Sequence, residues 1–166
     1  MSSAWVGIDP GVRGAIAVID SHGEWHVIDM PKQGSSGAMT VTCLLDSVRI
    51  NHVHRFVAIE QQRAYGGQGV VSSCALGQAY GWICGVVDVW SSNTVAIVKH
   101  PPPQIWQPPI IGRRVDDGPK AKERALAVAA EADPRIALQT PRGRVLDGRA
   151  DAICIALYAR QQWGGG

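Results

Sequence analysis

The stretch from Ala150 to Ala159, read Ala-Asp-Ala-Ile-Cys-Ile-Ala-Leu-Tyr-Ala, restricts the fold more than any other part of this chain. A helix from about Leu146 to Gln162 would be apolar almost all round from Ala152 to Ala159, and such a helix is stable only inside a core. The chain must therefore supply layers that enclose it. With 166 residues, 46% of them hydrophobic and 18% charged, it has enough material for one domain over 1–166 and is short for two. Asp147 and Asp151 lie four apart on the same helical segment and so share one face, one turn from each other. Like charges there destabilise the helix unless a cation lies between them. Asp147 has a second possible use as a cap of the helix N-terminus. Asp151 lacks that option, and Arg149, two residues away, faces elsewhere.

The rest of the chain reads as strands followed by alternating helices and strands. Trp5 to Asp9 and Ala15 to Asp20 are short apolar runs joined by a Gly/Pro turn, and Trp25 to Asp29 makes a third strand. A helix is expected from Ala38 to about Asn51, with Met39, Cys43, Leu44, Leu45 and Val48 on its apolar stripe. Arg55 to Glu60 reads as a strand buried on both faces, because Phe56-Val57-Ala58-Ile59 is continuously apolar. A second helix is expected from about Ser72 to Val89, with Gly77, Gly81 and Gly85 leaving one face bare. Val95 to Val98 is a fifth strand, and Pro101 to Pro109 reads as a proline-rich loop. A helix from about Pro119 to Ala132 carries Ala121, Ala125, Val128, Ala129 and Ala132 on one stripe, and Trp163 to Gly166 reads as a frayed tail. This order predicts an α/β fold: a central mixed five-stranded sheet with helices on both faces.

Asp9 and Glu60 each end a short apolar strand. If both strands are central and parallel, the two carboxylates emerge on the same sheet edge, where ligands of open α/β folds bind. Each is equally readable as the first polar residue after its strand. Joined to Asp147 and Asp151 they make a set of hard oxygen donors without His or Cys, which favours Mg²⁺ or Mn²⁺ over zinc. Two such ions about 4 Å apart would activate a water and stabilise the leaving 3′ oxygen of a phosphodiester.

Composition excludes other classes. No apolar run approaches the roughly 18 to 20 residues that span a bilayer, and the N-terminus has no basic region followed by an apolar core. A soluble, intracellular protein is expected. Cys43, Cys74, Cys84 and Cys154 show no metal-ligand spacing and are expected as buried, reduced thiols. His52 and His54 form a His-x-His read as loop surface, and Pro101 to Pro103 as a stiff connector. The formal charge is +2, from sixteen basic and fourteen acidic residues. If the four carboxylates are held by metal, sixteen basic residues face ten acidic ones, and the near-neutral total conceals a basic surface.

Gly-Ile-Asp-Pro-Gly at Gly7 to Gly11, Val-Ala-Ile-Glu-Gln at Val57 to Gln61, Leu-Gly-Gln-Ala-Tyr-Gly at Leu76 to Gly81 and Ala-Asp-Ala-Ile-Cys-Ile-Ala-Leu at Ala150 to Leu157 resemble the four landmark segments of the RuvC Holliday junction resolvases. The resemblance runs from about Trp5 to Tyr158. The spacing of four between Asp147 and Asp151 is closer to chloroplast-type and phage-type resolvases than to bacterial RuvC, where the last two acids are three apart. It implies an RNase H-like fold, with Asp9, Glu60, Asp147 and Asp151 as ligands of two Mg²⁺ per active site, replaceable by Mn²⁺. The position of Asp147 holds His in some relatives.

Further roles come from the same resemblance. Lys120 is similar to a family lysine near the scissile phosphate, with a solvated helix-terminal lysine as the alternative. Trp106 fits the chloroplast-type pattern, while Gln107 stands where relatives carry a lysine, so one phosphate contact is either missing or supplied by Arg113 or Arg114. Tyr65 corresponds to an aromatic that stacks on an unpaired base, and Gln68 would reach a base edge. Arg13, Arg142, Arg144 and Arg149 are candidate phosphate contacts or solvated surface arginines. The implied activity is resolution of four-way DNA junctions by paired symmetric nicks in recombination and repair. Two opposed strands need two active sites, which predicts a C₂ homodimer with the Gly-faced helix at its contact. No small-molecule cofactor is implied, and the setting would be the cytoplasm, the nucleoid or a virus-infected cell. Alternatives are a related metal nuclease acting on flaps, forks or RNA-containing substrates, and a non-catalytic DNA-binding relative. A sugar-kinase type ATPase shares the first hairpin but needs roughly 300 residues or more.

Overall fold

The computed structural model describes residues 2–51, 54–63, 69–116 and 118–164, without the side chains of 49–51. Its elements in chain order are β1 (Ser3–Asp9), β2 (Ala15–Asp20), β3 (Trp25–Asp29), α1 (Ser35–Asn51), β4 (His54–Ile59), α2 (Val70–Ser92), β5 (Ile97–Lys99), α3 (Pro103–Ile111), α4 (Ala121–Ala132) and α5 (Asp147–Trp163). The five strands form one sheet in the order β3-β2-β1-β4-β5. The first three are antiparallel neighbours, and β4 and β5 add in parallel to β1. This is the expected mixed α/β sheet, in the RNase H-like architecture.

Side-chain alternation divides the core in two. Ala4, Val6 and Ile8 of β1, with Val57 and Ile59 of β4, face α1 and α2 and pack on Val41, Leu45, Ile83, Val87 and Trp90. Trp5 of β1 and Ala58 of β4 face the other way, onto α3, α4 and α5. Helix α5 lies at the centre of that layer, with Ala152, Ile153, Cys154, Ile155, Ala156 and Ala159 fully buried. It crosses β1 at Gly7, where a Cβ would lie 2.2 Å from the Ala152 oxygen and the Ala156 nitrogen. Only a residue without a side chain lets that helix approach so closely.

Several boundaries differ from expectation for identifiable reasons. The buried stripe of α1 is Val41, Leu45 and Val48, at helical spacing, while Met39 and Cys43 are exposed. Cys74 is exposed as well and Cys84 is half-buried, so of the four free thiols only Cys154 is fully enclosed. Strand β5 begins at Ile97, leaving Val95 85% exposed beyond its start. The proline-rich segment is helical as α3. Pro103 stands in the first turn, where no N–H is needed, and the fully buried Trp106 anchors the segment to the core despite Pro108 and Pro109. Helix α5 continues through Trp163, whose ring stacks on Phe56 at 6.0 Å between centroids, so Trp163 is anchored rather than frayed.

Helix α2 is longer than expected. Its 23 residues, with a mean hydropathy of 1.4 over 18 of them, are long and apolar enough by length and composition to cross a membrane, which corrects the expectation that no segment reaches that length. Small residues interrupt its strongly apolar ones, yet Asp88 is its only charge. A stripe of Ala79, Ile83, Val87 and Trp90 is buried against the sheet, while most of the helix is left uncovered.

Candidate active site

Strand register places the first two carboxylates side by side. Ile8 pairs with Ile59 across the parallel β1/β4 ladder, and the Glu60 N–H donates to the Ile8 carbonyl at 2.9 Å. Asp9 follows Trp5 and Gly7 in the alternation, and Glu60 follows Phe56 and Ala58, so both lie on the face covered by α5. The Asp9 Oδ1 accepts from the Gly11 N–H at 3.0 Å, which closes the turn into β2.

Helix α5 brings the other two. Gly148 lets its first turn settle on the β1–β2 turn, since a Cβ there would lie 2.2 Å from the Arg13 carbonyl oxygen. Asp9, Asp147 and Asp151 then line one cavity of about 260 Å³ together with Arg13, Gly14 and Lys122. Arg149 points away from it. Its Nε and Nη2 clamp both oxygens of Asp29 on β3 at 2.6 and 2.9 Å, and Nη1 donates to the Ala137 carbonyl. That fork is occupied in fixing the angle of α5.

Electrostatics show that the four carboxylates share one field. Burial, and then the charge of Asp9, push the Glu60 carboxyl up to about 7, although Trp106 Nε1 donates to its Oε1 at 3.1 Å and Gln62 Nε2 to its Oε2 at 2.9 Å. Asp151 is pushed up to about 7 by burial, with Asp9, Glu60 and Asp147 adding repulsion. Asp9 is raised by burial, against the hydrogen bond from Gly11, with Asp147 repelling it further. Asp147 goes the opposite way, lowered chiefly by its hydrogen bond from Lys122 Nζ.

These shifts have a consequence for folding. Glu60 and Asp151 titrate higher in the folded than in the unfolded chain, so they hold protons that the unfolded state has lost. Their stabilisation is complete at acid pH and disappears as pH rises through about 7. In chelator, urea denaturation should show stability falling by on the order of 3 kcal/mol between pH 4.5 and 7.5. A rise over that window would contradict the assignment. Asp29 and Asp147, both lowered, act in the reverse sense and lose their contribution on acidification.

The donor chemistry of this pocket suits a hard divalent cation. Three carboxylates raised by burial and by one another are relieved by positive charge among them. Among the described residues, no three His, Cys, Asp or Glu side chains are gathered closely enough to hold one ion as they stand. The cation that meets the carboxylates in this arrangement is Lys122.

The structure distributes the other candidates around this pocket. Lys120 is not in it but precedes α4, where its N–H donates to Glu123 Oε2 at 2.9 Å. Lys122, two residues on, is the lysine that lines the acidic pocket. A signal for it was available: 122, 125 and 129 form one helical stripe, and Ala125 and Ala129 are buried under α5. Arg13 and Arg144 line an adjoining cavity with Asp29 and Asp147, and Arg142 is exposed in the neighbouring turn. Arg113 and Arg114 line a separate cleft with Lys120. Tyr65, Gln68 and His52 lie outside the described residues, and His54 is exposed at the start of β4. The bonds to Glu60 from Trp106 and Gln62 depend on the folding of α3 over the end of β4, which no local pattern announces.

The comparisons with known proteins agree with this architecture. The fold is that of the RNase H-like α/β proteins. Among solved structures it is similar to Thermus thermophilus RuvC, with a TM-score of 0.61 and 20% identity over 99% of this chain and 97% of that one. It is likewise similar to T. thermophilus RuvC in complex with a Holliday junction substrate, at 0.58 and 18% over the same shares. The Fowlpox virus resolvase in complex with a substrate Holliday junction aligns at 0.44 and 17%, over 98% of this chain and 99% of that one. No family model matches the chain, and no curated protein matches it.

Proposed function

We propose that this chain is a structure-selective endonuclease that resolves four-way DNA junctions by paired nicks, using two Mg²⁺ ions or Mn²⁺ in their place. The observation that carries the reading is the convergence of Asp9, Glu60 and Asp151, each raised by burial and by its neighbours, on one face of an RNase H-like sheet. The fold likeness to a RuvC solved with a Holliday junction supports the choice of substrate. The four-residue step from Asp147 to Asp151 favours the chloroplast-type and phage-type branch.

Asp9, Glu60, Asp147 and Asp151 would hold the metal, which when bound supplies an activated water and stabilises the leaving 3′ oxygen. The protein's own part is placement. Trp106 and Gln62 fix both oxygens of Glu60, and Gly11 fixes one of Asp9, so two ligands are held by bonds that do not depend on the cation. The Arg149 clamp on Asp29 sets the rotation of α5 and with it the direction of Asp151. Lys122 carries positive charge at the pocket rim and would exchange Asp147 for a phosphate oxygen as DNA enters. Arg13 and Arg144, in the adjoining cavity, would hold the backbone on one side.

Paired nicks require two sites, and α2 offers a face for a second copy. A Cβ at Gly77, Gly81 or Gly85 would meet nothing within 4 Å, and Trp82, Val86 and Val89 line an open groove of about 830 Å³ beside them. A dimeric mass in sedimentation with junction bound is expected, and a monomer would refute the pairing. The activity is tested on a synthetic four-way junction beside matched duplex, flap and RNA:DNA hybrid. Religatable paired nicks that require Mg²⁺ and vanish in Asp9→Asn are expected; equal cutting of all substrates would overturn the junction assignment.

A further inference from the structure

A second concave site lies on the other side of the first turn of α4. It is a cleft of about 790 Å³ between the end of α3 and the start of α4. Arg113, Arg114, Lys120 and Arg124 line it, with Gln104 and Gln107 along one wall and no acidic residue in the lining among the described residues. Three cations elsewhere in the chain are held by carboxylates, Lys122 by Asp147, Arg135 by Asp133 and Arg149 by Asp29. Among the described residues, Arg113, Arg114 and Lys120 have no such partner. Four positive charges converging on one recess repel one another and favour an anion between them.

Arg124 is the most constrained of the four. Its Nη1 donates to the Pro119 carbonyl at 3.1 Å, which pins the guanidinium against the cleft wall. Its Nε is sealed from water and has no hydrogen-bond partner among the described residues. The guanidinium itself lines the recess, and its fork of N–H groups suits an oxyanion there.

We infer that this cleft seats a backbone phosphate of a DNA strand outside the metal pocket, with Arg124 as its anchor. The inference rests on the nucleic-acid reading above and deepens it, since it adds a residue and a location. Lys120 lines the cleft and Lys122 lines the acidic pocket, and their Cα atoms are at most about 7 Å apart. A strand crossing the first turn of α4 would therefore lie in both places at once. The volume exceeds that of a lone phosphate, and the amides of Gln104 and Gln107 both donate and accept, so the sugar or base attached to that phosphate has polar partners too.

The test is fluorescence anisotropy with a labelled four-way junction and a labelled single strand in Ca²⁺, over a salt series. Arg124→Gln should weaken binding of both by about tenfold and lower the slope of log K against log salt by about one, with Arg124→Lys restoring part of the affinity. The Arg113→Gln/Arg114→Gln/Arg124→Gln variant should lose more, while thermal melting shows that it is folded. Wild-type affinity and salt slope in that folded triple variant would overturn the proposal. Calorimetry with inorganic phosphate and with a mononucleotide separates the sources: tight binding of either, lost in Arg124→Gln while DNA affinity is unchanged, would overturn the strand assignment in favour of a small-anion site. The two readings fail separately. If wild type cuts junctions and the triple variant binds them normally, the cleft assignment falls alone. If no junction is cut yet strand binding falls as stated, the cleft stands and the junction reading falls.

Discussion

Replacing Asp151 by asparagine will reduce Mg²⁺-dependent strand cleavage by about 10³-fold or more while leaving junction binding within a few fold of wild type. The side chain sits one turn inside α5, is pushed up to about 7 by burial and by three neighbouring carboxylates, and lines the same cavity as Asp9 and Asp147. Asparagine keeps the shape and removes the charge, so the field around Asp9 and Glu60 relaxes. The same variant should therefore be more stable than wild type in chelator at pH 7 to 8, by on the order of 1 to 3 kcal/mol. Loss of activity with a gain in stability separates a ligand from a structural residue. A variant that loses binding and stability together would place Asp151 in folding instead. Measurement requires only gel cleavage, anisotropy in Ca²⁺ and urea denaturation in chelator.

Gly7→Ala will be among the most destabilising single-methyl changes in the chain. The added Cβ would stand 2.2 Å from two backbone atoms of α5 and 2.8 Å from a third. Backbone cannot step aside as a flexible side chain does, so β1 and α5 must separate. The expected cost is roughly 3 kcal/mol or more, at the upper end for overpacking, or a fall in Tm of roughly 6 to 12 °C. Activity should fall further than stability, measured well below the new Tm, because Asp151 and Asp147 ride on the displaced helix while Asp9 and Glu60 stay on the sheet. Retention of wild-type cleavage by a folded Gly7→Ala protein would show that the alignment of α5 with the strand ends does not limit the reaction.

Much of the arrangement is legible in the sequence. The continuous apolar runs ending at Asp9 and at Glu60 mark buried central strands, since neither face alternates with polar residues. The all-round apolar helix after Asp151 marks a core helix, and the sheet with helices on both faces follows from the order of elements. Failures occurred where tertiary packing outweighed local preference. Prolines at 103, 108 and 109 argue against a helix, yet burial of Trp106 and Ile111 holds α3 together. On α1 the choice between the stripe with Met39 and Cys43 and the stripe with Val41 depends on which side the sheet covers, and both are apolar enough to serve. Lys120 and Lys122 differ by two positions, and only the docking of Ala125 and Ala129 under α5 turns Lys122 toward the carboxylates.

The sequence by itself determined which residues must be enclosed and which charges would be out of place once they were. Periodicity and hydrophobic run length are local properties, and they suffice to put Asp9 and Glu60 at strand ends and Asp147 and Asp151 on one face of a buried helix. What only the tertiary structure decided is how those charges are accompanied. The parallel register of β1 with β4 sets Asp9 beside Glu60, and the bare backbones of Gly7 and Gly148 let α5 close on them. The packing of α3 and α4 then gives Glu60 its donors, Lys122 its carboxylate and Arg113, Arg114, Lys120 and Arg124 a cleft of their own. These are relations between segments far apart in the chain, fixed by close packing of whole elements, and no local pattern encodes them.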